Sequence, residues 1–172
     1  MILTGSEIEK EVRRGRIDLS PFMPENVNPN SYNYHLSNTL LEIQDVPVDP
    51  KEPSRFKKIQ LTQEGYLLLP NRLYLGSTCE RIGSNYFVIS LIGRSSMGRL
   101  GLFLQITADL GQLGPSHCWT LELKVVQPLI IYPRMKIGQV SFWDVVGKRS
   151  DLYKGIYRRY SQPHHSETFS IL

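Results

Sequence analysis

"YFVISLIGRSSMGRLGLFLQIT", residues 86–107, places a polar insert between two apolar runs. The runs "YFVISLIG" and "LGLFLQIT" are short and rich in β-branched and aromatic residues, which is the composition of strands. The insert gathers Arg94, Ser95, Ser96 and Arg99, with Gly93 and Gly101 beside them. A plain strand connection has no use for two guanidiniums and two hydroxyls. Arginine's planar fork matches pairs of oxygens, so the cluster suits an oxyanion such as phosphate. A structural role competes: Ser95 or Ser96 could cap a short helix over "MGRLGL". Capping accounts for one serine but not for the arginines.

Outward from this stretch, short strand candidates recur on both sides: "KKIQLT", "GYLLLP" and "RLYLGSTCERI" before it, and "CWTLELKVV", "LIIYP" and "IGQVSFWDVV" after it. Turn residues separate most of them, and residues 133–136 read as a tight turn. This spacing predicts an all-β barrel or sandwich with few helices. At the N-terminus, Thr4 or Ser6 precedes acidic residues, Ile8 and Val12 stand four apart, and Gly15 follows. That pattern predicts one amphipathic helix over 5–15. "IDLSPF" reads as a short strand, and in "VNPNSYNYHLSNTLLEI" an alternation puts Tyr32, Tyr34 and Leu36 on one face. Residues 44–58, with Pro47, Pro50, Pro53 and many charges, predict an exposed loop.

The 172 residues, 41% hydrophobic and 21% charged, suit one soluble globular domain, 1–172. From Lys148 onward the chain turns polar, basic and aromatic, so 148–172 reads as a tail that need not join the core. The net charge of +4 suits an anionic small molecule as well as nucleic acid. No recognised motif supports nucleic-acid binding. With no signal sequence and no apolar run of spanning length, a cytoplasmic location and no membrane partner are expected. Cys79 and Cys118 form no Cys-x-x-Cys motif and no disulfide framework. "HSE" at 165–167 is the only His-x-Glu, and there is no Pro-Cys-x-x-Cys. The metal set of the zinc deaminases is therefore missing.

In "CWTLELKVV" the alternation puts Trp119, Leu121, Leu123 and Val125 on one face, and Thr120, Glu122, Lys124 and Val126 on the other. On pattern alone, a lone Glu122 is a solvated outer-face residue.

Taken together, "GRIDLSPF", "NSYNYHLSN", "GRSSMGRLGL", "ITA", "TLEL", "YPRMKIGQVSF" and "YKGIYRRYSQP" resemble the signature segments of the dCTP deaminase family, within the trimeric dUTPase-like superfamily. The resemblance covers most of the chain, and "GRSSMGRLGL" is its most specific match. It implies a distorted β-barrel with a short N-terminal helix, assembled as a homotrimer. The active sites would lie between subunits, with the tail 148–172 closing over a bound pyrimidine nucleoside triphosphate. It implies a hydrolase converting dCTP, or a close cytosine nucleotide, to dUTP plus ammonia. Alternatives are a dUTPase-like diphosphatase or a non-catalytic nucleotide-binding homologue. By resemblance, Glu122 is the general base and acid, with Arg99 and Ser95 in the catalytic set. Arg94 and Ser96 match phosphate contacts, and Ala108 matches the position whose backbone meets cytosine. Tyr153 matches a tail contact; Ile156 and Tyr160 fall where a lysine and a glutamine are common, with Lys154 or Gln162 as the substitute if the register shifts. No catalytic metal is implied, and Mg²⁺ would arrive on the triphosphate.

The sugar-reading segment departs from the family. Gln112 stands where an aspartate grips the deoxyribose hydroxyl, Pro115 where an aromatic residue packs, and His117 where a glycine is usual. Leu110 replaces a larger residue, while Asn33 and His35 replace an aspartate and an arginine. Gln112 can hydrogen-bond a hydroxyl but cannot act as a base.

Overall fold

The computed structural model describes residues 1–105, 108–147 and 151–171. Helix α1 (Gly5–Arg13) opens the chain. The strands that follow are β1 (Asp18–Ser20), β2 (Val27–Asn28), β3 (Ser31–His35), β4 (Thr39–Ile43), β5 (Phe56–Gln60), β6 (Tyr66–Leu68), β7 (Tyr74–Ser84) and β8 (Phe87–Gly93). A short helix, α2 (Ser95–Gly98), leads into β9 (Leu102–Leu104), β10 (Leu110–Gly111), β11 (Gly114–Val125), β12 (Leu129–Ile131) and β13 (Lys136–Asp144). The fold is mainly β with a short N-terminal helix. The end of the strand expected in "LGLFLQIT", at 106–107, and the start of the tail, at 148–150, lie outside the described residues. Among the described residues no helix is long and apolar enough to cross a membrane.

One sheet runs β5-β4-β7-β11-β9, with β1 added on β7, and a second runs β10-β8-β13-β3-β2. Strands β12 and β6 pair as a separate ribbon. Leu36 bridges Thr78 where the two large sheets meet. The described strands form open sheets, and no closed barrel is found among them. Between the sheets lies one core, with Tyr32, Tyr34, Leu36, Leu40, Leu121, Leu123 and Phe142 among its fully buried side chains.

The predicted alternation of β3 holds, but its other face is covered too. Ser31 Oγ donates to Gln139 Oε1 at 2.8 Å, and Asn33 Nδ2 donates to Asn28 Oδ1 at 3.1 Å. The Tyr34 hydroxyl donates to the Ile92 carbonyl at 3.1 Å, across a strand that has no room for a side chain: a Cβ on Gly138 would collide with the ring. The loop expected over 44–58 is shorter than that, because Phe56–Gln60 pairs with β4 as an edge strand. Lys57 and Lys58 are tolerated there because an edge faces water.

Strands β7 and β11 are out of simple register. Cys118 pairs with Arg81 while Thr120 pairs with Ser77, so β7 carries two extra residues over this step. Within that irregular stretch Glu80 is 1% exposed. Its Oε2 accepts the His35 backbone N–H at 2.9 Å and its Oε1 lies 2.5 Å from His35 Nδ1.

Helix α1 is shorter than predicted, ending at Arg13, and Thr4 is its cap, with Oγ1 accepting from the Glu7 N–H at 3.4 Å. Its Ile8 is fully buried, and so is Glu11, whose carboxylate is closed off by Arg14 at 2.9 Å and by Arg16. The bond from Arg16, followed by that from Arg14, outweighs desolvation and lowers the Glu11 pKa to about 2. An acid whose folded pKa is depressed adds stability that is present above its unfolded value and lost as pH falls through the folded one. Here the window runs from the ordinary 4.5 down to about 2. Arg16→Ala should therefore move acid unfolding, followed by far-UV circular dichroism, to higher pH. An unchanged acid limb would mean that the pair does not contribute.

Candidate active site

A cavity of about 660 Å³ lies against the β7–β11 face. Its floor comes from β11. Leu121 and Leu123 are fully buried in the core, so strand alternation turns Thr120 and half-buried Glu122 to the opposite side, where both line the cavity. Trp119 packs against the core, as expected from the Leu121 face, and also lines the cavity. It is held by its own bonds. Its Nε1–H donates to the Ile82 carbonyl at 2.8 Å and its backbone N–H to Thr78 Oγ1 at 2.9 Å. His117 stacks on it at 4.4 Å.

Gln105 ties this floor to the neighbouring loop, and the sequence reading did not single it out. Strand β9 pairs with β11 only as far as Leu104 opposite Leu123. Gln105 then takes φ 47°, a left-handed conformation uncommon for a residue with a side chain. The side chain replaces the lost ladder bond. Its Oε1 accepts the Glu122 N–H at 2.8 Å, and its Nε2 donates to the Ala108 carbonyl at 3.3 Å. One buried amide thus fixes both the strand bearing Glu122 and the backbone of Ala108. Nearby, Ser90 Oγ donates to Asp109 Oδ2 at 3.0 Å.

The tail forms the outer wall. The Tyr153 N–H donates to the Leu113 carbonyl at 2.8 Å, and the His164 N–H donates to Thr120 Oγ1 at 3.2 Å. Tyr157, Tyr160 and His165 also line the cavity. Burial raises both thiols, that of Cys79 to about 11, so neither is a ready nucleophile.

Of the residues named from the sequence, Ala108, Gln112, Glu122 and Tyr153 meet on this cavity. Arg94, Ser95, Ser96 and Arg99 stay together on the β8–α2 turn, outside its lining. Ser95, Ser96 and Arg99 are exposed, while half-buried Arg94 donates to the Lys136 carbonyl at 3.4 Å. The capping role fails for both serines: the cap residue of α2 is Arg94, and no side chain makes the capping bond. Among the described residues, no ion pair within the chain joins Arg99 to Glu122. Lys154 and Gln162 are exposed and outside the lining. The side chain of Pro115 lies outside the described residues.

A family model described as dCTP deaminase-like matches residues 2–145. A Hathewaya histolytica protein named "dCTP deaminase, dUMP-forming" is 43% identical over 158 residues, covering 92% of this chain and 91% of that protein. A Rhodopirellula baltica protein named "dCTP deaminase" is 42% identical over 147 residues, covering 86% of this chain and 74% of that protein. The crystal structure of 2'-deoxycytidine 5'-triphosphate deaminase from Agrobacterium tumefaciens matches with a TM-score of 0.64 at 19% identity, over 82% of this chain and 47% of that one. This chain thus spans about half the length of the Agrobacterium chain, and the likeness shows the fold alone.

Proposed function

The chain belongs to the dCTP deaminase-like family, and from that premise we propose that it deaminates dCTP and releases dUMP, ammonia and pyrophosphate. The observation that carries this reading is Glu122, half-buried on the wall of a cavity of nucleotide size, with its strand braced by Gln105. One water gives a proton to the Glu122 carboxylate while its oxygen adds to C4 of the cytosine. Glu122 passes that proton to the ring nitrogen N3. The second proton of the added oxygen then travels by the same carboxylate to the exocyclic amine. The C4–N bond breaks, ammonia leaves and a uracil ring remains. A second water cleaves the bond between the α- and β-phosphates. The triphosphate carries its own Mg²⁺ as part of the substrate.

The sequence led to an expectation of dUTP as product. We replace it with dUMP because relatives such as the Hathewaya protein are named dUMP-forming. Deamination that stops at dUTP is the second reading. Gln112 in place of the family's aspartate favours it, since an amide cannot activate the second water. Incubation with dCTP and chromatography of the products separates the two. Equal yields of ammonia, dUMP and pyrophosphate support the first reading, and ammonia with dUTP supports the second. Nucleotide binding without either product would point to the non-catalytic reading.

We also infer a homotrimer built from distorted barrels, the two large sheets being the parts of one barrel and the whole chain one domain working in the cytoplasm. The support is the separation of the two halves of the site: Glu122 lines the cavity, whereas Ser95, Ser96 and Arg99 face outward. A neighbouring subunit would bring the phosphate-binding turn to a cavity that lacks one. Strand β9 is the edge of its sheet, and Phe103 on it, with Leu100 and Val126 beside it, leaves apolar surface exposed. Light scattering at micromolar concentration should give the mass of three chains. A monomer would leave the arginine–serine cluster with no site to complete.

A further inference from the structure

The tail carries a constellation that the deamination chemistry does not use. His164, His165 and Glu167 place one donor atom each within 4.8 Å of one another. We propose that these three side chains bind one divalent transition-metal ion of the zinc class, which orders this turn of the tail where it lies against the cavity. The inference is independent of the reaction assigned above.

Each side chain is already directed for ligation. His165 Nδ1 lies 2.9 Å from the Ser166 carbonyl, so it carries the proton and leaves Nε2 with a free lone pair. Fixing one ring nitrogen through a carbonyl is how metal-binding histidines are oriented. The Glu167 carboxylate is buttressed by the Tyr160 hydroxyl, which donates to Oε1 at 3.0 Å. Its backbone N–H donates to the Tyr157 hydroxyl at 2.9 Å. His164 Nε2 stands 2.5 Å from the same Oε1 in a direct hydrogen bond, which opens when both atoms turn to a metal.

Two imidazoles and one carboxylate form a borderline donor set. It suits zinc and its neighbours, whereas magnesium and calcium prefer oxygen alone. Tetrahedral zinc at about 2.0–2.2 Å from its ligands needs donors closer together than the widest spacing here, so one ring must rotate inward. The fourth position falls to water. The segment already touches the rest of the fold: His165 stacks on Phe56 at 5.5 Å, and the His164 N–H donates to Thr120 Oγ1 at 3.2 Å.

The test uses the full chain stripped with a chelator, then titrated with zinc against a fluorescent competitor. One zinc per chain is expected. His165→Ala and Glu167→Gln should each weaken binding at least about 10-fold, since even the outer partners of metal ligands are worth about 10–100-fold. Both substitutions lie in the tail, and melting curves matching the parent would confirm an intact core. Zinc should also slow trypsin cleavage at exposed Arg158 and Arg159, and magnesium should not. Failure to bind one equivalent overturns the site. So does unchanged affinity in both variants, which would place the zinc elsewhere, for example on Cys79 and Cys118.

Discussion

Glu122→Gln will lower ammonia release from dCTP by at least about 10²–10⁴-fold, the usual worth of a general acid–base group. The variant keeps the size and hydrogen-bonding reach of the side chain but removes its capacity to hold a proton in transit. Little else changes. The bond from Gln105 goes to the backbone N–H of residue 122, so the strand stays braced. Leu121 and Leu123 remain in the core on the opposite face. Nucleotide binding should therefore persist, and calorimetry with dCTP separates lost chemistry from lost affinity. Deamination near the parental rate would remove Glu122 from the mechanism. A fall in binding equal to the fall in rate would make it a substrate ligand only.

The second large effect concerns stability. His35→Leu removes the side-chain partner of a carboxylate that is 1% exposed. Leaving a buried hydrogen-bonding group without its partner costs roughly 1–3 kcal/mol, more for a charged one. We expect about 3 kcal/mol, since Glu80 is buried but retains the His35 backbone N–H. For a chain of this size that is a fall in Tm of roughly 6–12 °C. Glu80→Leu added to His35→Leu should recover much of the loss, because an apolar pair of similar volume leaves no charge to solvate. A single variant that melts with the parent would mean that Glu80 escapes to water or takes up a proton at no cost.

The sequence pattern was strongest where a period-2 rule operates within one strand. The alternation of β11 put Leu121 and Leu123 inside and Glu122 outside, and the structure agrees. Trp119 keeps to that pattern by packing against the core, but its reach to the cavity as well was not legible, because it depends on β7, a partner some forty positions away. Gln105 carries no signature at all. A glutamine at a strand end looks like any surface residue until its left-handed backbone turns the side chain back onto Glu122. The tail was read as polar and separable. It was also expected, by resemblance, to close over the site; Tyr153, Tyr157, Tyr160 and His165 line the cavity, and the stacking of Tyr157, Tyr160, His164 and His165 on one another has no periodicity to betray it. Arg94, Ser95 and Ser96 were legible as a cluster and invisible in placement. Among the described residues nothing within one chain brings them to Glu122, which is the ground on which we propose a second subunit.

The pairing of β3 with β13 also bears on how the protein is made. Ser31 and its partner Gln139 are 108 residues apart. A ribosome adding about 5–20 residues per second needs roughly 5–20 seconds to span that interval. Throughout it, "SYNYH" is a finished strand with an open edge and two tyrosines that have no core to enter. The nascent chain must be shielded until most of it has left the exit tunnel, so chaperone supply during translation, more than final stability, should limit the yield of native protein.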